Sequence, residues 1–283
     1  MSSGAGLPCA YGGDVAASLE PVLQVLRCPD CGAALQPGGV DGVACRSGHR
    51  FELIAGRAPD LVRTAVQHDT PGQRAMRFRP LVSVYESIWR PLFTRLAGGT
   101  DPGAETDRLI EWLEPTPGAT VLDLACGPGN TTRRLAAGIE GAAAIVGLDL
   151  SVPMLEEAVD ATHDSAAIGF ARVDAHTLPI GDATVDVAHC AAALYLFGDP
   201  AAVIAEVARV VRPGGRFVGM TLVAPLQPLG AVGRTAEQAF ARLSGLRYIG
   251  AKELEEMCSA AGLQGFSTTS RGGALLFVAE KPG

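Results

Sequence analysis

From residue 107 onward, short apolar runs alternate with segments whose hydrophobic residues recur every three or four positions. The runs are Ala119–Ala125 (ATVLDLA), Ala143–Leu150 (AAIVGLDL), Ile168–Asp174, Val185–Ala191 and Gly215–Val223, each of a length suited to a buried strand. Asn130–Ala137, Pro153–Ala161 and Ala201–Val211 read as the intervening helices. Ser151 is placed to cap the second of them, with a proline in its first turn. Two closing runs, Phe266–Ser270 and Leu275–Glu280, are joined by Gly272-Gly273 and predict a hairpin. This alternation predicts an α/β domain: a mostly parallel sheet covered on both faces, with the hairpin adding one antiparallel strand.

Between Arg74 and Gly99 the period is helical. Leu81, Val84, Tyr85, Ile88, Leu92, Phe93 and Leu96 fall on one helical face. Pro80 suits the start of that helix, Pro91 kinks or splits it, and Gly98-Gly99 stops it. Such a helix packs on the main domain, or serves as a lid with Tyr85 and Trp89 offering ring faces to a ligand cation. Arg74, Arg77, Arg79 and Arg90 cluster beside it, as a solvated face or a contact for an anionic substrate. The first residues are rich in Gly, Ala and Ser and read as a disordered terminus. The division expected is a disordered terminus at 1–20, a small module at 21–66, linker and lid helices at 67–106, and the α/β domain at 107–283. Within that domain, 224–250 is a possible substrate cap, with Phe240, Arg242, Arg247 and Tyr248 as contacts.

Composition narrows the picture. A chain of 283 residues that is 48% hydrophobic and 19% charged can bury one substantial core and carry a small accessory module. The net charge of −7 gives no global attraction to nucleic acid or an anionic membrane, although a local basic patch can act against that sign. No apolar run approaches the roughly 18–20 residues that span a bilayer, and no basic n-region of a secretory signal stands at the front. A cytoplasmic protein without a membrane partner is expected. Nothing in the sequence speaks to oligomeric state.

Three of the seven cysteines cluster with a histidine. Cys28 and Cys31 are two residues apart, and Cys45 and His49 three apart, with a Gly-rich segment between the pairs. One tight turn can aim each pair at a single ion. The resulting Cys3His set suits tetrahedral Zn2+, fills the coordination shell, and implies a structural ion. His68 is a less well-placed substitute for the fourth ligand, and Cys9 lies far upstream.

The strand ends carry the remaining chemistry. After the first strand comes Asp123-Leu-Ala-Cys-Gly127-Pro-Gly129, whose glycines let backbone approach a ligand closely. The second strand ends at Asp149, where a carboxylate can accept hydrogen bonds from two ribose hydroxyls. The third ends at Asp174-Ala175, placed to read an adenine amino group. Dinucleotide-binding turns want a third glycine where this chain has Thr132, and Asp123 would repel a pyrophosphate. A carboxylate there suits an ammonium. The charges therefore favour S-adenosylmethionine.

The motifs DLACGPGN (123–130), GLDLS (147–151), VDAHTLPI (173–180), VDVAHCAAALYLF (185–197) and VARVVRPGG (207–215) together resemble a class I S-adenosylmethionine-dependent methyltransferase. The resemblance implies a Rossmann-like seven-stranded sheet with a reversed last strand. It places Asp123, Gly127 and Gly129 near the methionine end, Asp149 at the ribose, Asp174 at the adenine, and Cys190 under the methionine moiety. Ala125, Leu150, Met154, Ala175 and Tyr85 complete the expected cofactor contacts. Tyr195 stands where many small-molecule relatives carry a histidine.

The CPDC…C-x3-H-x-F pattern before such a domain is similar to bacterial large-subunit rRNA guanine-N1 methyltransferases. It is also similar to a group of plant and bacterial methyltransferase-like proteins, which FRPLVSVYESIWRPLF (78–93) and GGALLFVAEKP resemble more closely. The leading expectation is an enzyme that methylates a small, apolar or aromatic metabolite. The alternatives are rRNA guanine-N1 methylation and a non-catalytic interaction module. No catalytic residue is assigned; His189, His176 and Tyr195 are candidates for a base.

Overall fold

The computed structural model describes residues 12–39, 42–63, 69–84, 102–139, 141–162, 165, 167–223 and 230–283. The chain opens with helix α1 (Gly12–Val25), followed by β1 (Leu35–Pro37), β2 (Gly42–Cys45), β3 (Arg50–Ile54) and β4 (Ala58–Pro59). These four strands form one small antiparallel sheet in sequence order. Two short helices follow, α2 (Pro71–Ala75) and α3 (Arg79–Val84), then α4 (Pro102–Leu113). The lid residues Tyr85 and Trp89, and Cys9 and His68, lie outside the described residues. None of the described helices is long and apolar enough to cross a membrane.

The main domain begins with β5 (Thr120–Leu124), α5 (Asn130–Gly138), β6 (Ala144–Asp149), α6 (Val152–Asp160) and β7 (Ile168–Arg172). It continues with β8 (Val185–Ala191), α7 (Pro200–Val210), β9 (Val211–Leu222), α8 (Gly230–Ser244), α9 (Ala251–Ala260), β10 (Gln264–Arg271) and β11 (Ala274–Glu280). The seven strands run in the order β10-β11-β9-β8-β5-β6-β7. β11 alone runs opposite to the other six strands, as the sequence leads one to expect. β5 pairs with β6 on one side and β8 on the other, so the strand order reverses there. Ligands bind above such a switch point. Ser151 caps α6 as expected, its Oγ accepting from the Met154 N–H. β9 starts four residues earlier than the hydrophobic run suggests, because Val211 pairs with Val185 before a register shift.

Helices cover both faces. On one, Leu109 and Leu113 of α4, Leu135 of α5 and Leu155 of α6 pack on Val121, Ile145, Phe170, Val187 and Leu276. On the other, Val203 and Ile204 of α7 and Leu254 and Cys258 of α9 pack on Leu122, Leu124, Val146, Leu148 and Phe217. The link between β7 and β8 carries no helix, and α1 takes that place on the sheet: Leu19, Val22 and Val25 join the same core. Over 12–20 the expected disordered terminus gives way to helix, since α1 begins at Gly12 and Leu19 is buried; the rest of that expectation, 1–11, lies outside the described residues. Gly- and Ala-rich composition hides the helix, and tertiary burial of its apolar stripe supplies what propensity lacks.

The small sheet is docked on the large one. Leu26 and Ile180 form an antiparallel bridge, Asp60 and Arg172 a parallel one. The Arg27 N–H donates to Pro179 O at 2.7 Å and the Leu61 N–H to Arg172 O at 3.0 Å. Gly169 of β7 leaves room for α1, since a Cβ there would lie 2.7 Å from Val22 Cγ1 and 3.2 Å from Val22 N. Gly169→Ala should therefore cost about 1–3 kcal/mol by overpacking. Adding Val22→Ala should recover part of it, as a thermal-unfolding double-mutant cycle will show; strictly additive effects would mean that α1 does not sit on β7.

Candidate functional site

A cavity of about 610 Å³ opens above the switch point. Its floor is made by strand ends: Asp123–Cys126 after β5, Leu148–Ser151 after β6, Val173–Ala175 after β7, His189 and Ala191–Ala193 around the end of β8, and Met220 and Leu222 of β9. Three carboxylates, Asp123, Asp149 and Asp174, line it. Arg77 lines it too, but its guanidinium is paired with Asp69 at 2.5 Å.

The glycine turn is held by one of these carboxylates. Asp149 Oδ2 accepts the Gly127 N–H at 2.8 Å, and Oδ1 accepts the Ser151 N–H at 2.8 Å. Burial pushes its carboxyl pKa up, against those backbone donors, which pull it down. Gly127 takes φ +55°, a left-handed value that suits glycine. Gly129, at φ +76°, does a different job from the one expected. It does not line the cavity; a Cβ there would lie 3.1 Å from both Ala158 Cβ and Phe170 Cζ, so it lets the turn pack against α6 and β7.

Asp123 is buried and doubly bonded. Thr132 Oγ1 donates to Oδ2 at 2.6 Å, and His189 Nδ1 lies 2.8 Å from Oδ1. Thr132, which stands where a dinucleotide-binding turn has its third glycine, thus has a task of its own. Cys126 also borders the cavity; burial, then Asp149 and Asp123, raise its thiol pKa and keep it neutral.

Ala125, Leu150, Met154 and Ala175 all line the cavity. Cys190 does not. Side chains alternate along β8, so Cys190 points into the core beneath the opposite face, while His189 and Ala191 reach the cavity. Of the candidate bases, His189 and Tyr195 line the cavity, whereas His176 turns onto Asp174 Oδ1 at 2.7 Å and the edge of Phe197. Tyr85 lies outside the described residues.

The sequence places a lid within 67–106 and centres it on the helix from Leu81 to Leu96; among the described residues the roof is the segment just before that helix. Thr70–Arg77 crosses the mouth, with Pro71, Gly72, Gln73, Ala75, Met76 and Arg77 facing the cavity. At one end Thr70 Oγ1 donates to Leu196 O at 2.9 Å; at the other Ser151 Oγ donates to Met76 O at 2.8 Å. A capping box between Thr70 and Gln73 fixes the turn. Gly72 lets it settle on Leu196 and Leu246, and Gly245 lets Pro71 approach. Thr-Pro-Gly-Gln was the available sequence signal, a helix start three residues before the basic cluster that drew attention instead. From 224–250, Leu243, Ser244 and Leu246 reach the cavity rather than Phe240, Arg242, Arg247 and Tyr248. Arg247 pairs with Glu253 at 2.5 Å, and Phe240 is exposed.

A second constellation lies in the small sheet. One ligand atom from each of Cys28, Cys31, Cys45 and His49 falls within 4.8 Å of the others. Cys31 Sγ to Cys45 Sγ is 3.6 Å, and His49 Nδ1 is 3.4 Å from both Cys28 Sγ and Cys45 Sγ. Zn–S and Zn–N bonds of about 2.3 and 2.0 Å in a tetrahedron imply donor separations of about 3.8 and 3.5 Å. The donor set fits a zinc module. Burial pushes the Cys28 thiol up to about 11, while the Ala33 backbone N–H and then Ser47 lower Cys31 to about 7.

Residues 121–215 match a family described as a methyltransferase domain. An uncharacterized chloroplastic methyltransferase of Arabidopsis thaliana is 29% identical over 280 residues, covering 92% of this chain and 78% of that protein. A demethylmenaquinone methyltransferase of Corynebacterium kroppenstedtii is 38% identical over 117 residues, covering 41% of this chain; the chain spans 48% of that relative. Among solved structures, a Haemonchus contortus phosphoethanolamine N-methyltransferase 2 bound to phosphomonomethylethanolamine and S-adenosylhomocysteine shares the fold. Its TM-score is 0.63 at 15% identity, over 80% of this chain and 62% of that one. The seven-stranded order, the carboxylate-lined cavity at its switch point and these likenesses agree: the domain carrying this sheet is a class I S-adenosylmethionine-dependent methyltransferase domain.

Proposed function

We propose that this enzyme methylates a small, largely apolar or aromatic metabolite. The observation that carries the reading is the roofed cavity: away from the carboxylates, Leu196, Phe197, Met220, Leu222, Leu243 and Leu246 give its wall an apolar stretch, beside polar groups such as Tyr195 and Ser244. Asp149 would hold the ribose, Asp174 and Ala175 the adenine, and the Ala125–Gly127 turn and Asp123 the methionine end. Bound there, the cofactor supplies a methyl group already activated by positive sulfur. The chain then has to orient the acceptor and exclude water, tasks that suit the strap from Thr70 to Arg77. A base is needed only for an acceptor that must lose a proton, and Tyr195 is then the candidate on the cavity wall. The name of the menaquinone relative supports an apolar ring acceptor.

An rRNA acceptor has less support, because Arg77 and Arg79 are spent on Asp69 and Glu156 rather than forming an open basic face. The reading includes a cytoplasmic location, although the plant relative's name places that protein in the chloroplast. It also includes one Zn2+ held by Cys28, Cys31, Cys45 and His49 as a structural ion.

Transfer of labelled methyl groups decides the acceptor class. Offered a panel of hydroxylated aromatic and quinol compounds beside unmethylated rRNA, the enzyme should label the small molecules. Label entering rRNA, lost steeply as salt rises, would replace this reading with the other.

A further inference from the structure

His189 stands on the face of β8 that carries Val187, which packs with Leu109 of α4 and Leu135 of α5. It is fully buried and sits directly across the β5–β8 register from Asp123. A carboxylate can only accept, so the 2.8 Å contact assigns the proton to Nδ1. That leaves Nε2 with a lone pair. Nε2 is buried and has no hydrogen-bond partner among the described residues, yet the ring borders the cavity. A buried polar atom in this condition calls for an explanation, and an absent ligand group is one.

Position and charge narrow what that group is. The adenosine end belongs to β6 and β7, where Asp149 and Asp174 stand. His189 lies away from it, between β5 and β9, in register with Asp123 and Val218. Whatever reaches Nε2 must donate a hydrogen bond, and the negative charge of Asp123 across the ring on Nδ1 favours a cation. The α-ammonium of S-adenosylmethionine has three N–H donors and one positive charge.

We propose that His189 Nε2 accepts a hydrogen bond from the cofactor's ammonium group, with Asp123 acting through the ring from the Nδ1 side. The inference rests on the cofactor reading of the cavity. It gives His189 a binding role in place of proton transfer from the acceptor. Thr132 and the Nδ1 proton hold Asp123 in place, and Asp123 in turn fixes the imidazole tautomer.

Two ligands that differ in the amino-acid group test this by calorimetry. S-adenosylhomocysteine carries the ammonium; 5′-methylthioadenosine lacks the whole amino-acid end. His189→Asn keeps an amide donor near the Nδ1 position for Asp123 and deletes Nε2, so it perturbs folding less than His189→Ala. The Asn variant should bind S-adenosylhomocysteine about 10-fold or more weakly, the scale of a lost hydrogen bond to a charged group, with 5′-methylthioadenosine within about twofold of wild type. Equal weakening of both ligands would mark His189 as structural and overturn the proposal. Unchanged affinity for both, with a shifted pH profile for kcat, would overturn it in favour of an acceptor base. Wild-type protein that binds neither ligand would instead remove the cofactor reading itself.

Discussion

Asp149→Ala should weaken binding of S-adenosylhomocysteine by about 100-fold or more. The wild-type carboxylate already accepts the Gly127 and Ser151 N–H groups, one on each oxygen, and each oxygen keeps a lone pair for a ribose hydroxyl. Truncation removes both ligand bonds at once, and hydrogen bonds to charged groups are worth about 1.5–3 kcal/mol each. It also strands the Gly127 N–H, which loosens the turn that must approach the methionine end. Asp149→Asn should fail nearly as badly. An amide can satisfy one backbone N–H with its oxygen, but its NH2 then faces the other as a second donor. Calorimetry against wild type is the measurement, and an affinity within threefold would show that the ribose lies elsewhere.

A pH dependence follows from the same carboxylate. Burial raises its pKa, so in the free protein it takes up a proton at a higher pH than an exposed aspartate does. On the proposed placement of the ribose, the ionised form is the one that would accept its hydroxyls. Ligand binding therefore lowers the pKa, and affinity should fall as pH is lowered through the raised value rather than at the ordinary carboxylate range.

The strands, their parallel pairing and the carboxylates at their ends were legible because each depends on local pattern. A buried run followed by a turn residue says where the strand stops, and in this fold the stop is the site. Cys190 and Gly129 show what pattern leaves out. Both sit inside the right motifs, but whether a residue faces the cavity depends on strand parity and on what packs behind the turn. His189 and Cys190 are neighbours in sequence, and only the direction of the side chain separates them.

A lid within 67–106 was legible, but not which segment forms it, and for a different reason. Its hold comes from contacts more than 70 residues apart, Thr70 with Leu196 and Met76 with Ser151, which no local window contains. Helix α1 was missed likewise. Its stability lies in the sheet it covers, not in its own sequence.

Removing the metal should unfold far more than the small sheet. From sequence alone, Cys28→Ser is expected to loosen the front module and spare much of the cofactor pocket. The docked arrangement changes that expectation. Cys28 follows directly on α1 and the Leu26–Ile180 bridge, and Ile180 ends the loop that starts at Asp174 on the cavity wall. At the other end of the module, Asp60 pairs with Arg172 at 2.9 Å, while Arg172 Nε donates to Leu150 O at 2.9 Å. Losing the ion withdraws a binding free energy that is about 10–16 kcal/mol in zinc-finger peptides, against a typical domain stability of about 5–15 kcal/mol. If α1 leaves with the module, Leu19, Val22, Val25 and Leu26 are exposed as well, at about 1.5–3 kcal/mol each. Chelation of the purified protein, or Cys28→Ser, should thus release one zinc and lower the unfolding midpoint by more than about 10 °C in a single transition. It should also weaken S-adenosylhomocysteine, because Asp174 and Leu150 lose their supports. Metal release with an unchanged midpoint and unchanged ligand affinity would show that the module merely rests on the edge strand.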